Sequence, residues 1–498
     1  MSAAPNELDG RCPSGVEGLD EILGGGLPRE CFYLIQGDPG SGKTTLALQF
    51  LLEGLRRGEK PFYVTLSETK QELLGVARSH GWSLEGIPLL ELSAIEALLR
   101  PEAQTTVFRP SEVELVKVSQ LLMEETRKAR PSRIVFDSLS EFRLMAETPL
   151  RYRRQLLNLK QEFAKLKSTV LLLDDKMNGG ALGSDPHVLS LTHGVIEMEQ
   201  FTPDYGTARR RLHVTKLRGV KFREGYHDYT IVTGGLRIFP RLIAAGHRSE
   251  FRREAVSSGI KELDGLLGGG LDRGTTTLIL GPAGAGKSTL ALHYAVKLAG
   301  QGDRGMIFTF DESRDIMLAR AKALGLDLEK HIQSGVVDAQ QVDPAELSPG
   351  EFAVRVQRSV EAGAKLVIID TLNGYLNSMP GEKYLNNQLH ELSSFLNRQG
   401  VVTILVLAQH GLGAVSESPV DLSYLADTVL SLRYFEAGGG IRQALAVVKK
   451  RSGRHEKSIR EFRLDPGKGI RVGQPLKQFQ GVLSGAPVFH GSGKQMMK

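Results

Sequence analysis

Short runs of consecutive apolar residues recur along the chain, each ended by glycine, an acid or a polar turn. In the N-terminal half they read "CFYLIQG", "PFYVTL", "RIVFD", "TVLLLDD" and "HGVIEME"; in the C-terminal half, "TTTLILG", "GMIFTF", "KLVIID" and "VVTILVLA". Runs of this kind predict strands buried on both faces. Between them lie amphipathic stretches, and Gln155 to Leu166 sets Leu, Phe and Ala at helical spacing. Strands alternating with helices predict an α/β fold whose mostly parallel sheets are covered by helices.

The pattern occurs twice. "SGVEGLDEILGGGLPRE" begins at Ser14 and "SGIKELDGLLGGGLDRG" at Ser258, a displacement of 244 residues that also carries Lys43 onto Lys287 and Glu68 onto Glu312. Farther along, Asp137 onto Asp370 and "TKLR" ending at Arg218 onto "VKKR" ending at Arg451 share a displacement of 233, so the second copy is 11 residues shorter in between. One domain has been duplicated. The basic, polar "RLIAAGHRSEFRREA", residues 241–255, suits a linker. The expected organisation is a first domain over 1–245, a second over 246–475 and a C-terminal segment over 476–498.

Composition narrows the class without naming a chemistry. A chain of 498 residues is about three times a typical single-domain length, so each copy can bury a full core. With 41% apolar and 24% charged residues it reads as globular, and no apolar run is long enough to span a bilayer. The N-terminal "MSAAPNELDG" has neither a basic region nor an apolar core of the signal-peptide kind, which makes the cytoplasm the expected location. Only Cys12 and Cys31 are present, with no CxxC, so neither a disulfide framework nor a structural zinc site is expected. The net charge of +6 permits nucleic-acid binding without requiring it.

The chemistry enters with two glycine loops. "GDPGSGKT" (Gly37 to Thr44) and "GPAGAGKS" (Gly281 to Ser288) fit GxxxxGK followed by Thr or Ser, each directly after a strand and before a helix candidate. Gly40, Ser41, Gly42, Thr45 and their counterparts Gly284, Ala285, Gly286, Thr289 would wrap backbone N–H groups around ATP phosphates. Lys43 and Lys287 would place a charge on the β- and γ-phosphates, and Thr44 and Ser288 would offer hydroxyls to Mg²⁺. Asp137 and Asp370 close buried strands at the end where ligands of open α/β sheets gather, and a carboxylate there can hold magnesium.

The glycine block before each phosphate loop, the paired RecA-like domains and the closing "KKRSGRHEKSIREF" resemble the KaiC-like family of circadian-clock ATPases and autokinases, from about Ser14 to "FQGVLSGAP". The resemblance implies two tandem RecA-like P-loop domains, a homohexameric double ring with ATP between neighbouring subunits, and Glu68 and the pair Asp311 and Glu312 as activating carboxylates. The family has two adjacent glutamates at that place, so Ser67 leaves the first domain with one carboxylate while the second keeps two. Lys216 with Arg218, and Lys449 with Arg451, match basic residues that the family directs at a neighbour's γ-phosphate. Ser79 and Trp82 match a nucleotide-edge segment.

Within the same resemblance "DLSYLADT" matches the phosphorylated segment of the family, with Ser423 at the serine and Tyr424 and Ala426 in place of threonines. It implies autophosphorylation at Ser423 and argues against a two-site cycle. The ending "SGKQMMK" is shorter than the family's tail, which argues against the partnership that the tail serves. A KaiB-like regulator and a downstream signalling protein are the implied partners. Two other readings are a RecA-like DNA-dependent ATPase and a nucleotide-gated binding scaffold. Against DNA, "KMNGGALGSDPH" (Lys176 to His187) has one lysine and no aromatic, and "HGLGAVSESPVDL" is net acidic, so neither offers the basic, stacking surface that single strands need.

Overall fold

A computed structural model describes residues 10–91, 110–176, 186–203, 206–343, 345–377, 385–409, 423–483 and 487–490. The chain divides into two compact units, Met1–Arg241 and Leu242–Lys498. Most of the two loops weighed above for DNA, and the last eight residues, lie outside the described residues.

The sheet of the first unit has nine strands: β1 (Phe32–Gly37), β2 (Pro61–Thr65), β3 (Leu89–Glu91), β4 (Arg133–Asp137), β5 (Thr169–Asp175), β6 (Gly194–Phe201), β7 (Arg209–Leu217), β8 (Tyr226–Val232) and β9 (Gly235–Phe239). Their order across the sheet is β3-β2-β4-β5-β1-β6-β7-β8-β9. The six strands from β3 to β6 run parallel, and β7 to β9 extend the sheet antiparallel. All five apolar runs quoted for this half lie in the parallel part.

Alternation explains why those strands are apolar throughout. Tyr33 and Ile35 of β1 face one buried core together with the helices Lys43–Arg56 and Lys70–Ser79. Phe32 and Leu34 face the opposite core with Phe142, Tyr152, Leu156 and Phe163, carried by the helices Leu139–Ala146 and Pro149–Lys165. Both faces are covered, so no polar alternation survives. The helix expected over Gln155 to Leu166 is observed as Pro149–Lys165, with Leu166 at its C-cap; it starts earlier because Thr148 caps it and Pro149 fits its first turn.

The second unit repeats the topology: β10 (Thr276–Gly281), β11 (Arg304–Thr309), β12 (Val337–Gln341), β13 (Ala364–Asp370), β14 (Val402–Ala408), β15 (Thr428–Ala437), β16 (Gly440–Lys450), β17 (Arg460–Asp465) and β18 (Gly469–Pro475). The order β12-β11-β13-β14-β10-β15-β16-β17-β18 matches the first sheet strand for strand. Cys12 is a buried free thiol and Cys31 a partly buried one. Among the described residues no helix is long and apolar enough to cross a membrane.

His227 of β8 is fully buried and held in one neutral form: Nδ1 accepts from the Arg241 amide at 2.8 Å, and Nε2 lies 3.0 Å from the Arg223 carbonyl. Burial pushes its pKa from the ordinary 6.5 down to about 4. Because the folded value is depressed, its contribution is complete above 6.5 and is lost as pH falls through 6.5 to about 4. The unfolding transition of the first unit should therefore weaken over that window by on the order of 3 kcal/mol. A His227→Gln chain should show a flatter profile when melting is followed from pH 7 to pH 4.

Candidate active site

Each phosphate loop joins its first strand to a helix, Lys43–Arg56 or Lys287–Ala299. Gly42 and Gly286 cap these helices at φ 96° in both domains, with no side-chain cap on the first-turn N–H groups. A Cβ at Gly42 would meet Ile231 Cδ1 at 2.8 Å, and one at Gly286 would meet Phe462 Cε1 at 2.8 Å. Only glycine fits both the conformation and the space. The open N–H groups and the helix dipole suit phosphate oxygens.

Lys43 Nζ donates to the carbonyls of Gly37 at 2.8 Å and Asp38 at 3.0 Å and pairs with Asp175 at 2.9 Å. Lys287 is buried, donates to the Pro282 carbonyl at 2.7 Å, and burial pushes its pKa down. Thr45 and Thr289 are buried one residue beyond Thr44 and Ser288. The Ser41 hydroxyl is buried without a partner.

Asp137 and Asp370 end β4 and β13 and are each 6% exposed. Burial raises both pKa values. Asp137 accepts from the Tyr63 hydroxyl at 2.6 Å, whereas Asp370 accepts from Ser288 Oγ at 3.0 Å. The Tyr63 position holds Ile307 in the second domain, so the two carboxylates are satisfied by different groups.

Glu68 follows β2 on a short turn in which Thr65 Oγ1 accepts from its amide at 3.0 Å and donates to its carbonyl at 2.7 Å. Thr69 then begins the next helix with a capping box to Glu72. Burial first, then the charges of Asp137 and Glu72, push Glu68 up to about 7, against a hydrogen bond from Thr44 and the charge of Lys43. Its Oε2 is buried without a partner. Ser67 is exposed.

In the second domain Glu312 pairs with Arg320 at 2.6 Å, and burial pushes its pKa up while Arg320 opposes the rise. Asp311 accepts from the Thr371 hydroxyl. Lys43, Thr44, Glu68 and Asp137 thus converge in one domain, and Lys287, Ser288, Asp311, Glu312 and Asp370 in the other. These parallel strands end together beside the phosphate loops.

The basic pairs stand elsewhere. Leu217 pairs with Gly194, which pairs with Tyr33 at the start of β1, so Lys216 and Arg218 flank the end of the sheet opposite the loop that follows Gly37. The six residues of β1 separate the two ends by about 20 Å. Lys216 Nζ donates to the carbonyls of Leu189 at 2.5 Å and Thr192 at 2.7 Å, and Arg218 reaches Ser190 O at 3.4 Å. Lys449 and Arg451 are placed alike: Lys449 opposes Val429, the Arg451 amide donates to Asp427 O at 2.8 Å, and the Asp427 amide to Thr276 O at 2.8 Å. Lys449 Nζ donates to the carbonyl of Ser423 at 2.7 Å. Ser423 is half-buried and Tyr424 beside it is exposed.

Ser79 ends its helix with Oγ bonded to Val76 O at 2.7 Å. Trp82 is partly buried against the first core and stacks on His80 at 4.6 Å, so much of its surface is already used. Tyr63, Asp175, Arg320 and Thr371 were not visible as site residues in the sequence. Repeat alignment could have flagged Asp175 against Ala408 and Arg320 against Val76; Tyr63 hides inside an apolar strand.

The comparisons follow this geometry. The family described as "ATPase: KaiC" matches residues 12–243 and again 256–477. The chain belongs to the KaiC ATPase family. Its relatives include circadian clock protein KaiC3 of Synechocystis sp., 27% identical over 494 residues that cover 97% of this chain and 96% of that protein. Circadian clock oscillator protein KaiC of Thermosynechococcus vestitus is 27% identical, covering 96% and 92%. That of Synechococcus elongatus is 26% identical, covering 95% and 91%. Both repeats are therefore KaiC-family ATPase domains.

Replacing Tyr63 by Phe should leave the Asp137 carboxylate buried without its donor. The expected cost to the first unit is about 1–3 kcal/mol. Thermal unfolding of the nucleotide-free Tyr63→Phe chain checks this, with the second unit's transition unchanged.

Proposed function

We propose that both domains hydrolyse Mg²⁺-ATP within a homohexameric double ring, that the second domain also phosphorylates Ser423, and that the resulting state is read by other proteins as a timing or signalling output. Gly40, Ser41, Gly42, Lys43, Thr44 and Thr45 hold the phosphates in the first domain, and Gly284, Ala285, Gly286, Lys287, Ser288 and Thr289 in the second. Ser79 lies toward the nucleotide edge. The capless glycine helix ends and the desolvated carboxylates fit a phosphate-bound cation. Thr44 with Asp137, and Ser288 with Asp370, would hold Mg²⁺, which supplies charge neutralisation on the transferring phosphoryl group.

Glu68 orients the attacking water, and its near-neutral pKa suits a group that must accept a proton. Glu312, with Asp311 beside it, serves the second domain and accepts the proton of a neighbouring subunit's Ser423 hydroxyl. Lys216, Arg218, Lys449 and Arg451 stabilise charge on a neighbouring subunit's nucleotide. The single observation that carries the assembly is that these four residues sit about 20 Å of strand away from their own phosphate loops, beyond side-chain reach. Ser423 stands beside Lys449 at that same end, so its phosphate donor is also a neighbour's ATP. A KaiB-like regulator and a downstream signalling protein are the expected partners, in the cytoplasm, with protein favoured over nucleic acid and no membrane in the reading.

In a Lys287→Ala background, Glu68→Gln should cut the remaining ATP turnover by about 100-fold or more, and Glu312→Gln should do the same in a Lys43→Ala background. Unchanged turnover in either removes the assigned base. Incubation with Mg²⁺-ATP followed by phosphosite mapping tests the kinase step. Phosphate absent from Ser423, Ser416, Ser418 and Thr428 sinks it while leaving ATP hydrolysis standing.

A further inference from the structure

The two phosphate loops differ in what already occupies the lysine. Asp175 ends β5 in register with Gly37, the last residue of β1, and its half-exposed carboxylate lies 2.9 Å from Lys43 Nζ. The matching place on β14 is Ala408, in register with Gly281, and Lys287 is left with the Pro282 carbonyl. An ammonium has three N–H donors. Those of Lys43 meet Gly37 O, Asp38 O and Asp175 Oδ1, so its complement is full.

A phosphate oxygen can reach Lys43 only by displacing one of the three acceptors. The two carbonyls belong to the loop backbone and cannot leave. Asp175 has 50% of its side chain exposed, so water replaces Lys43 on its carboxylate at small cost. Charge sharpens the contrast. Asp175 joins Glu68 and Asp137 around a single lysine, whereas the second site offsets its carboxylates with both Lys287 and Arg320.

We propose that Asp175 is a competing anion: it occupies Lys43 until the phosphates of a nucleoside triphosphate displace it, so that the first site binds ATP more weakly than it otherwise would and the second site has no such competitor. The inference rests on the phosphate-loop reading above. Asp175 acts through Lys43 and is a positioning residue for that site.

The test uses the full-length chain with Lys287→Ala silencing the second site, titrated calorimetrically with Mg²⁺ and a slowly hydrolysed ATP analogue. Asp175→Ala, and Asp175→Asn of nearly the same shape, should each tighten binding about fivefold. In steady-state assays KM for ATP should fall while kcat does not rise, a split that general structural damage would not give. The reciprocal Ala408→Asp, in a Lys43→Ala background, should weaken the second site several-fold. Binding unchanged or weakened by both Asp175 variants overturns the proposal, the weakened case meaning that the carboxylate helps to hold Mg²⁺. If the chain carrying both Lys43→Ala and Lys287→Ala binds as well as the Lys287→Ala parent, the phosphate-loop reading itself fails. That result is distinct from any effect of Asp175.

Discussion

The arrangement depends on a carboxylate that has been taken out of water at the end of a central parallel strand. Asp137 and Asp370 are almost fully buried, and desolvation of an isolated carboxylate costs several kcal/mol unless donors and charges meet it. The protein meets that cost locally. Tyr63 donates to Asp137 and Ser288 to Asp370, while burial still raises both pKa values and the loop lysines oppose that rise. Such burial is possible only because helices cover both faces of the sheet, which in turn requires strands apolar on both sides. A group so placed gains most from a divalent cation, since the cation restores the charge compensation that water no longer provides.

Duplication kept this constraint and let its solutions drift. Where β4 carries Arg133, fully buried, bonded to the Pro13 and Phe50 carbonyls and paired with Glu59, β13 carries Leu366 in an apolar core. Replacing a buried ion pair by well-packed apolar side chains is often near neutral in stability, so such an exchange is tolerated. The same drift reaches the sites. Glu68 has an unpartnered oxygen and a pKa near neutrality, whereas Glu312 is tethered by Arg320. One acid keeps an oxygen without a donor; the other is paired with a guanidinium. The two domains thus share a topology without sharing an electrostatic balance.

What could be read from the chain followed from how strongly each residue's surroundings constrained it. The parallel strands were legible because double burial leaves an unbroken apolar run, and "RIVFD" and "KLVIID" announce both a strand and its terminal acid. The antiparallel extension was not: "RRRLHVTKL" in β7 mixes buried and half-exposed positions, and its three arginines read as surface. The phosphate loops were legible because glycine at φ 96° leaves a fixed spacing in the sequence. Tyr63 was not, because a tyrosine inside an apolar strand looks like packing until its hydroxyl is placed on Asp137. Asp175 and Arg320 escaped for a related reason. Each is one charged residue among many, and only the partner it touches gives it meaning.

The parallel sheet also decides which residues one chain can bring to its own phosphate loop. Its ligand end gathers the ends of β1, β2, β4 and β5, and the antiparallel return of β7 necessarily delivers Leu217 to the other end, opposite Gly194. A basic residue at the close of β7 is therefore excluded from its own phosphate loop by strand length alone, whatever its rotamer. The repeat of this placement at Lys449 and Arg451 is a consequence of shared topology, so it would persist through any drift that preserved the strand order. Lys216 meanwhile spends its ammonium on the Leu189 and Thr192 carbonyls, which fixes its position at that end of the sheet.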